Sequence, residues 1–396
     1  MALVCSMDTQ NQQSTVFNFD ATKTLDRLFG YLNPREKDVL KRRFGLEGNE
    51  KATLEEIGKV HNLTRERVRQ IEASGVAKIK KIHELDEVVA DLKQAMDSLL
   101  AEYGGLLDKQ YLLSILADFA KKNNQLDDPK AYSNKLEFLL SKALDNDFLT
   151  VRQHQYFNEF VSSRKQTIEH LEAAAAELTK KIKETKKLFS TEDLIGVIKE
   201  LEAFKKSADK FKVDNTAQAW PLKINQHEVA KLTFEHKPFY AFLQALKEVE
   251  QNIFGAWGEA TSREIKPKTI NDKIYLVLKK EGKPMHYHNI VKRINELNFD
   301  HKKINLATAH NELILDNKYV LVGRGIYGLK EWGYREGAVT DIVADVLKAA
   351  GTPLTKKEIV DQVNKQRIVK KNTINLALMN KNKFKKVGTK KYWFKD

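Results

Sequence analysis

One stretch of the last third of the chain occurs twice, and a repeat constrains a fold more than any composition does. Val277–Asn295, VLKKEGKPMHYHNIVKRIN, aligns with Val346–Asn364, VLKAAGTPLTKKEIVDQVN. Further on, Lys318–Lys330 (KYVLVGRGIYGLK) aligns with Phe384–Asp396 (FKKVGTKKYWFKD). Between them lie the helix-patterned KKINLATAHNELI and KKNTINLALMNKN. Like segments in like order must build the same unit twice. Each reads helix, helix, helix, hairpin, which is the order of a winged helix. Gly323–Gly328, GRGIYG, has the spacing of a dinucleotide-binding loop, but a helix must follow such a loop. Here a strand pattern follows, so Arg324-Gly325 is expected as a hairpin turn. A fainter echo, ALDNDFLTV (Ala143–Val151) against ILDNKYVLV (Ile314–Val322), suggests a third, degenerate copy.

Upstream of the repeat the pattern is helical. Residues 1–28 read as a polar, flexible leader, and residues 29–84 as short helices with tight breaks. NPREKDVLKRRFGL places Val39, Leu40 and Phe44 at helical spacing before Gly45. ATLEEIGKVHNL opens on a capping box, Thr53 with Glu56. TRERVRQIEASGVAKIKKI starts at Thr64 as N-cap, with Val68 and Ile71 inside and Val76, Ile79 and Ile82 continuing past Gly75. Residues 87–163 are expected to be a helical domain or degenerate winged helix, and residues 164–265 a helical hairpin or spacer. In the latter a heptad runs through Ile168, Leu171, Ala175, Leu178, Ile182, Thr185 and Phe189, a seam for packing within the domain or for dimerisation. Ser190–Asp193 (STED) then caps a second helix reaching about Phe211. Winged helices over 268–335 and 336–396 complete a mainly α, modular chain: helix-turn-helix, helical or coiled middle, tandem winged helices with β wings.

Charge is concentrated at two places. The formal net charge is +14, and 13 Lys+Arg against 8 Asp+Glu fall in residues 33–82, 14 against 5 in residues 337–396. These differences, +5 and +9, account for all of it, the distribution a polyanion binder requires. The single cysteine, Cys5, excludes an intrachain disulfide and a thiolate-rich zinc site. The start has no signal-peptide pattern and no apolar run is long enough to cross a membrane, so a cytoplasmic, nucleoid-associated protein is expected.

The candidate site lies in NLTRERVRQIEASG, Asn62–Gly75. On a helix Arg65 and Arg69 are one turn apart, as are Glu66 and Gln70, while Val68 and Ile71 face the other way. Arg forks match guanine, Gln matches adenine, and Glu can accept from cytosine. With Leu54–Val60 crossing before it, this is helix-turn-helix geometry. Composition alone leaves a second reading, a solvated helix laced by pairs one turn apart.

The blocks LNPREKDVLKRRFGL, ATLEEIGKVHNL and TRERVRQIEA resemble region 4 of bacterial sigma factors, which reads the upstream, minus-thirty-five promoter element. The resemblance covers about 50 residues. It implies that Thr64, Arg65, Glu66, Arg67, Arg69 and Gln70 contact bases and backbone of double-stranded, promoter-like DNA, and that the RNA polymerase core is a partner through its β flap. The sequence departs from the family after Glu72, where Gly75 is expected to shorten or loosen the helix. An aromatic-rich melting domain is also not in evidence before Leu32. The C-terminal repeat resembles the HARE-HTH winged helix of the RNA polymerase delta subunit, of some restriction enzymes and of chromatin proteins. That implies third helices at about Lys302–Asp316 and Lys370–Lys381 facing DNA. The wing tips Arg324, Lys390 and Lys391 would then touch phosphate, and Lys302, Lys303, Lys370 and Lys371 would bind DNA from the third helices, with the first copy a candidate for protein docking.

Other signals carry less. His286–His288 (HYH) has no thiolate or acidic neighbour in sequence, and its rings would diverge on a helix. Glu264–Lys266 (EIK) lacks the upstream Pro-Asp of nuclease sites. Trp220 and Trp257 are expected as packing residues. No nucleotide-binding loop, nucleophile elbow or carboxylate cluster stands out, so no catalytic residue, metal or cofactor is expected. The sequence thus points to a transcription factor that binds DNA without chemistry. Two alternatives remain: a DNA-recognition component of a restriction or mobile-element system, and a delta-like structural polymerase subunit.

Overall fold

The computed structural model describes residues 17–122, 128–164, 168–211, 220–224, 231–300, 302–334, 337–367, 369, 371–388 and 390–395. It is mostly helical with small antiparallel sheets, and it divides into two compact units, Met1–Ala260 and Thr261–Asp396.

The first unit opens with α1 (Ala21–Gly30), α2 (Pro34–Phe44), α3 (Leu54–His61) and α4 (Arg65–Lys80). Local chemistry sets their ends. Asn33 and Glu36 close a capping box on α2, Thr53 and Glu56 close another on α3, and Gly45 at φ +62° stops α2. The leader expected over 1–28 is corrected from Phe17 onward: Phe17 and Phe19 are buried, and α1 already runs from Ala21 with Asp20 as its N-cap. Phe17 stacks on Trp220 at 5.2 Å and Phe19 on Phe119 at 5.7 Å, so aromatic burial holds this segment down. Residues 1–16 lie outside the described residues.

Next come α5 (Leu85–Glu102), β1 (Leu106–Asp108), α6 (Lys109–Lys122), α7 (Pro129–Phe138), β2 (Phe148–Val151) and β3 (Phe160–Ser163). α7 runs into a π-helical turn at Leu139–Ala143. The sheet order is β1-β3-β2. Then follow α8 (Glu169–Thr185), α9 (Thr191–Glu200), α10 (Glu202–Lys205), α11 (Lys237–Ala245), β4 (Val249–Gln251) and β5 (Trp257–Glu259). Phe189, between α8 and α9, bridges antiparallel to Trp257, beside β4. Both stretches therefore run helix, short strand, helices, hairpin, with the short strand joined to the hairpin's last strand.

The heptad seam turns inward. Leu171, Ala175, Leu178 and Ile182 are buried in one core with Ile195, Phe242 and Trp257, while Thr185 at the end of α8 is exposed. The second helix of the expected hairpin does not reach Phe211: Leu201 turns extended (φ −64°, ψ 141°) and splits it into α9 and α10. Trp220 and Trp257 are both packing residues, 1% exposed.

The second unit holds α12 (Ile270–Glu281), β6 (Met285–His286), α13 (Tyr287–Leu297), α14 (Leu306–Leu315), β7 (Tyr319–Gly323) and β8 (Ile326–Leu329). It ends with α15 (Val339–Ala350), β9 (Leu354–Thr355), α16 (Lys356–Gln366), α17 (Lys371–Leu378), β10 (Phe384–Val387) and β11 (Lys391–Phe394). The sheets, β6-β8-β7 and β10-β11-β9, have the same order, pairing Met285 with Tyr327 and Leu354 with Tyr392. GRGIYG forms the β7–β8 hairpin, and Gly325 sits at φ +66° where a Cβ would come within 2.6 Å of His286 Nε2. His286 is the N-cap of α13 rather than a helical residue, so its ring does not diverge from His288: the centroids are 5.3 Å apart with Tyr287 between. No cluster of His, Cys, Asp and Glu suited to a metal occurs among the described residues.

Candidate nucleic-acid interface

The candidate interface rests on a small apolar core. Val39 of α2, Ile57 of α3, and Val68 and Ile71 of α4 are buried together, with Leu54 and Leu63 against them. Two residues make the turn between α3 and α4. Asn62 takes the left-handed conformation (φ 52°), which Asn tolerates better than most residues. Gly58 lets the chain fold close: a Cβ there would lie 2.6 Å from the Leu63 carbonyl oxygen, and the Leu63 amide donates to the Gly58 carbonyl at 2.8 Å. The Thr64 hydroxyl accepts from the Arg67 amide at 3.2 Å and starts α4.

With Val68 and Ile71 turned inward, Arg65, Glu66, Arg67, Arg69 and Gln70 are all exposed in the first two turns of α4. They are organised. Arg69 donates from Nε and Nη2 to the two Glu66 oxygens at 2.8 and 2.7 Å. This leaves the end-on edge of the guanidinium, Nη1 and Nη2, for a second pair of acceptors. The hydrogen bonds from Arg69 hold the Glu66 carboxyl below the usual carboxylate range, so it stays an acceptor. Arg67 Nη1 donates to Gln70 Oε1 at 3.0 Å, and Gln70 also helps hold the Glu66 carboxyl low, so Arg67, Gln70, Glu66 and Arg69 form one linked set. Arg65 has no hydrogen bond or ion pair to another side chain among the described residues. The solvated-helix reading foresaw such pairs, and in this molecule they also fix where the donors point.

The support under this surface was not legible as a site. Glu36 is 4% exposed on α2 and takes donors from the Asn33 amide (3.1 Å), Ser74 Oγ (3.1 Å) and Lys78 Nζ (2.9 Å). Burial works to raise its carboxyl, but Lys78, Asn33 and Ser74 outweigh that and hold it below the usual range. Ser74 and Lys78 are on α4, so this buried carboxylate ties α4 to α2. Asp38 acts similarly: burial pushes it up, hydrogen bonds from Arg42 (2.8 Å) and His61 (2.6 Å) bring it below its ordinary value. The loosening expected at Gly75 is corrected. α4 runs unbroken to Lys80, and buried Gly75 is a contact point where a Cβ would meet Leu40 Cδ1 at 3.2 Å.

In the second unit the expected DNA-binding residues that the structure describes are exposed but dispersed. Lys302 and Lys303 precede α14, whose bounds are Leu306–Leu315 rather than Lys302–Asp316. Arg324 is exposed in the β7–β8 turn, Lys371 opens α17, and Lys390 and Lys391 stand at the start of β11. Lys370 lies outside the described residues.

Residues 28–81 match the family model for Sigma-70, region 4. Among curated proteins, the RNA polymerase sigma factor SigA of Nostoc sp. is 50% identical over 56 residues, 14% of this chain and 14% of that protein. SigA of Synechocystis sp. is likewise 50% identical over 56 residues, 14% of this chain and 13% of its own. The principal sigma factor HrdD of Streptomyces coelicolor is 40% identical over 70 residues, 18% of this chain and 21% of that protein. No solved structure matches the chain. The similarity is thus to a sigma region 4 domain, and the chain spans from 13% to 21% of the length of these relatives.

Proposed function

We propose that this chain is a sequence-reading, duplex-DNA-binding protein of the bacterial transcription apparatus. One observation carries the reading: Arg65, Glu66, Arg69 and Gln70 stand outward at the start of a helix that a buried core and a capped turn hold in helix-turn-helix geometry. The match of residues 28–81 to Sigma-70, region 4 supports it, since the similar curated proteins are named RNA polymerase sigma factors. Residues 29–84 are the reading head, for promoter-like DNA, and the β flap of the polymerase core is its proposed protein partner. The head reads duplex and does not open it. Of the four aromatics before Leu32, Phe17, Phe19 and Phe29 are buried in the core and only Tyr31 is exposed, too few rings to hold an unpaired strand.

The two repeats of the second unit, 268–335 and 336–396, are proposed HARE-HTH winged helices of the delta-subunit kind. Arg324, Lys302, Lys303, Lys371, Lys390 and Lys391 are their proposed phosphate contacts, which position without specifying sequence. The middle, 87–163 and 164–265, is the proposed scaffold between them, and the whole works on the nucleoid without catalysis.

The test is selection of binding sites from random duplexes with the full chain, followed by the Arg69→Ala/Gln70→Ala double variant. Removing a bidentate pairing costs about 1–3 kcal/mol at its base pair, so the variant should bind the selected site more weakly and random duplex unchanged. Equal weakening on every sequence would refute base reading at these positions. Recovery of the polymerase core with the full chain tests the partner.

A further inference from the structure

The third helices of the two C-terminal repeats share a surface that their overall charge conceals. In α14 the buried side chains are Ala309 and Leu313; in α17 they are Ile374, Ala377 and Leu378. Aligned on Ala309 with Ile374 and Leu313 with Leu378, the outward positions correspond. α14 turns out Ala307, Thr308, Asn311, Ile314 (59% exposed) and Leu315 (78%). α17 turns out Asn372, Thr373, Leu376 (68%), and just beyond its end Met379 (72%). After Lys371 at its first position, α17 has no charged residue, and the one charged residue of α14, Glu312, is turned to Asn271 at 3.1 Å. The sequence pattern of interleaved lysines therefore misleads. The lysines flank these helices, and the outward faces are amide, hydroxyl and hydrocarbon.

That set of groups has a definite counterpart. Guanine in the major groove is matched by Arg or Lys and cytosine by a carboxylate, and past Lys371 at the start of α17 neither stands on these faces. An amide matches adenine, and aliphatic side chains match the thymine methyl. Charge complementarity favours DNA over a protein at the second repeat. Residues 337–396 carry 14 Lys+Arg against 5 Asp+Glu. Lys385 and Lys386 on β10 and Lys390 and Lys391 at β11 are all exposed on the wing beside α17. We propose that residues 337–396 select A·T-rich duplex, with Leu376 and Met379 on thymine methyls, Asn372 on adenine and the wing lysines on phosphate. This rests on the reading that the repeat faces DNA, and adds what it prefers there.

The test titrates the full chain, carrying Arg65→Ala/Glu66→Ala/Arg69→Ala/Gln70→Ala so that none of the head's proposed reading side chains remains, against alternating A·T and alternating G·C duplexes of equal length. The A·T duplex should bind roughly fivefold or more tightly, as expected for a few matched base-edge contacts. Adding Asn372→Ala/Leu376→Ser/Met379→Ser, all at exposed positions, should bring the ratio to about one and leave G·C binding unchanged. Lys390→Ala/Lys391→Ala should weaken both duplexes alike. Equal affinities of the head-substituted chain for the two duplexes, with the lysine variant still weakening both, overturn the A·T preference and leave the DNA-facing reading standing. Should neither variant change binding to either duplex, both ideas are overturned, and the exposed leucine and methionine are the seat of a protein.

Discussion

At the scale of single residues, what reads and what supports differ in how plainly the sequence shows them. Arg65, Glu66, Arg69 and Gln70 could be placed on one face because Val68 and Ile71 set the inner side by spacing alone. Glu36 could not, because in sequence it is one more charge in a charged helix, and only the fold reveals that Ser74 and Lys78 close over it. Its carboxyl is held below its ordinary value, so its contribution is present above the unfolded-state value of about 4.3 and lost as pH falls through the lower folded value. Glu36→Gln should therefore differ most from wild type in unfolding midpoint at neutral pH, and the gap should narrow on acidification; a gap independent of pH would contradict this. Gly58 was equally silent. It reads as a helix weakness, yet its missing Cβ makes the turn. Gly58→Ala gains about 1 kcal/mol of helix propensity but forces a backbone contact, and overpacking of that kind costs about 1–3 kcal/mol. Denaturant titration of the full chain should show net destabilisation, with weaker binding to the selected site.

At the scale of elements, capping and stop signals were legible and long-range closure was not. Thr53, Thr64 and Ser190 each cap the helix expected of them, because the cap is a local bond within three residues. The helix expected to reach Phe211 breaks at Leu201, a residue with no breaker chemistry of its own. The repeated helix–strand–helix–hairpin order in the first unit was faint for a similar reason. β1 has three residues and the equivalent strand before α9 is a single bridge at Phe189, too short to leave an alternating pattern. Closure of α5 onto α11 depends on another unreadable pair. Lys237 Nζ lies 2.6 Å from Glu102 Oε2, with both side chains at most 4% exposed, and Lys237 also donates to the Trp220 carbonyl. Removing one partner strands a buried charge, so Lys237→Ala or Glu102→Ala should each destabilise the first unit by about 3–5 kcal/mol. Lys237→Met combined with Glu102→Leu should cost less than either alone, since apolar replacement of both removes the unpaired charge. Additive losses in a double-mutant cycle would show that the pair is not coupled.

At the scale of the whole molecule, the two basic regions belong to different compact units, residues 33–82 in the first and 337–396 in the second. Linked modules that bind one duplex together multiply their affinities, and each phosphate neutralised adds its own salt dependence. The sequence supplied this much through charge alone, whereas which side chains a helix turns outward had to wait for the fold, as the face of α17 past Lys371, free of charge, shows. The consequence is measurable in the slope of log affinity against log salt for the full chain. If the wing lysines neutralise phosphates, Lys390→Ala/Lys391→Ala should flatten that slope by roughly 0.9 for each phosphate no longer neutralised, on selected and random duplex alike. Arg69→Ala/Gln70→Ala should instead lower affinity for the selected site with a smaller change in slope, because reading a base edge displaces fewer condensed ions than pairing with a phosphate. The two signatures should combine independently when both variants are present, provided the head and the wing touch separate stretches of one duplex. If the wing variant leaves the slope of the full chain unaltered, the basic charge of the second unit serves something other than the duplex that the head reads.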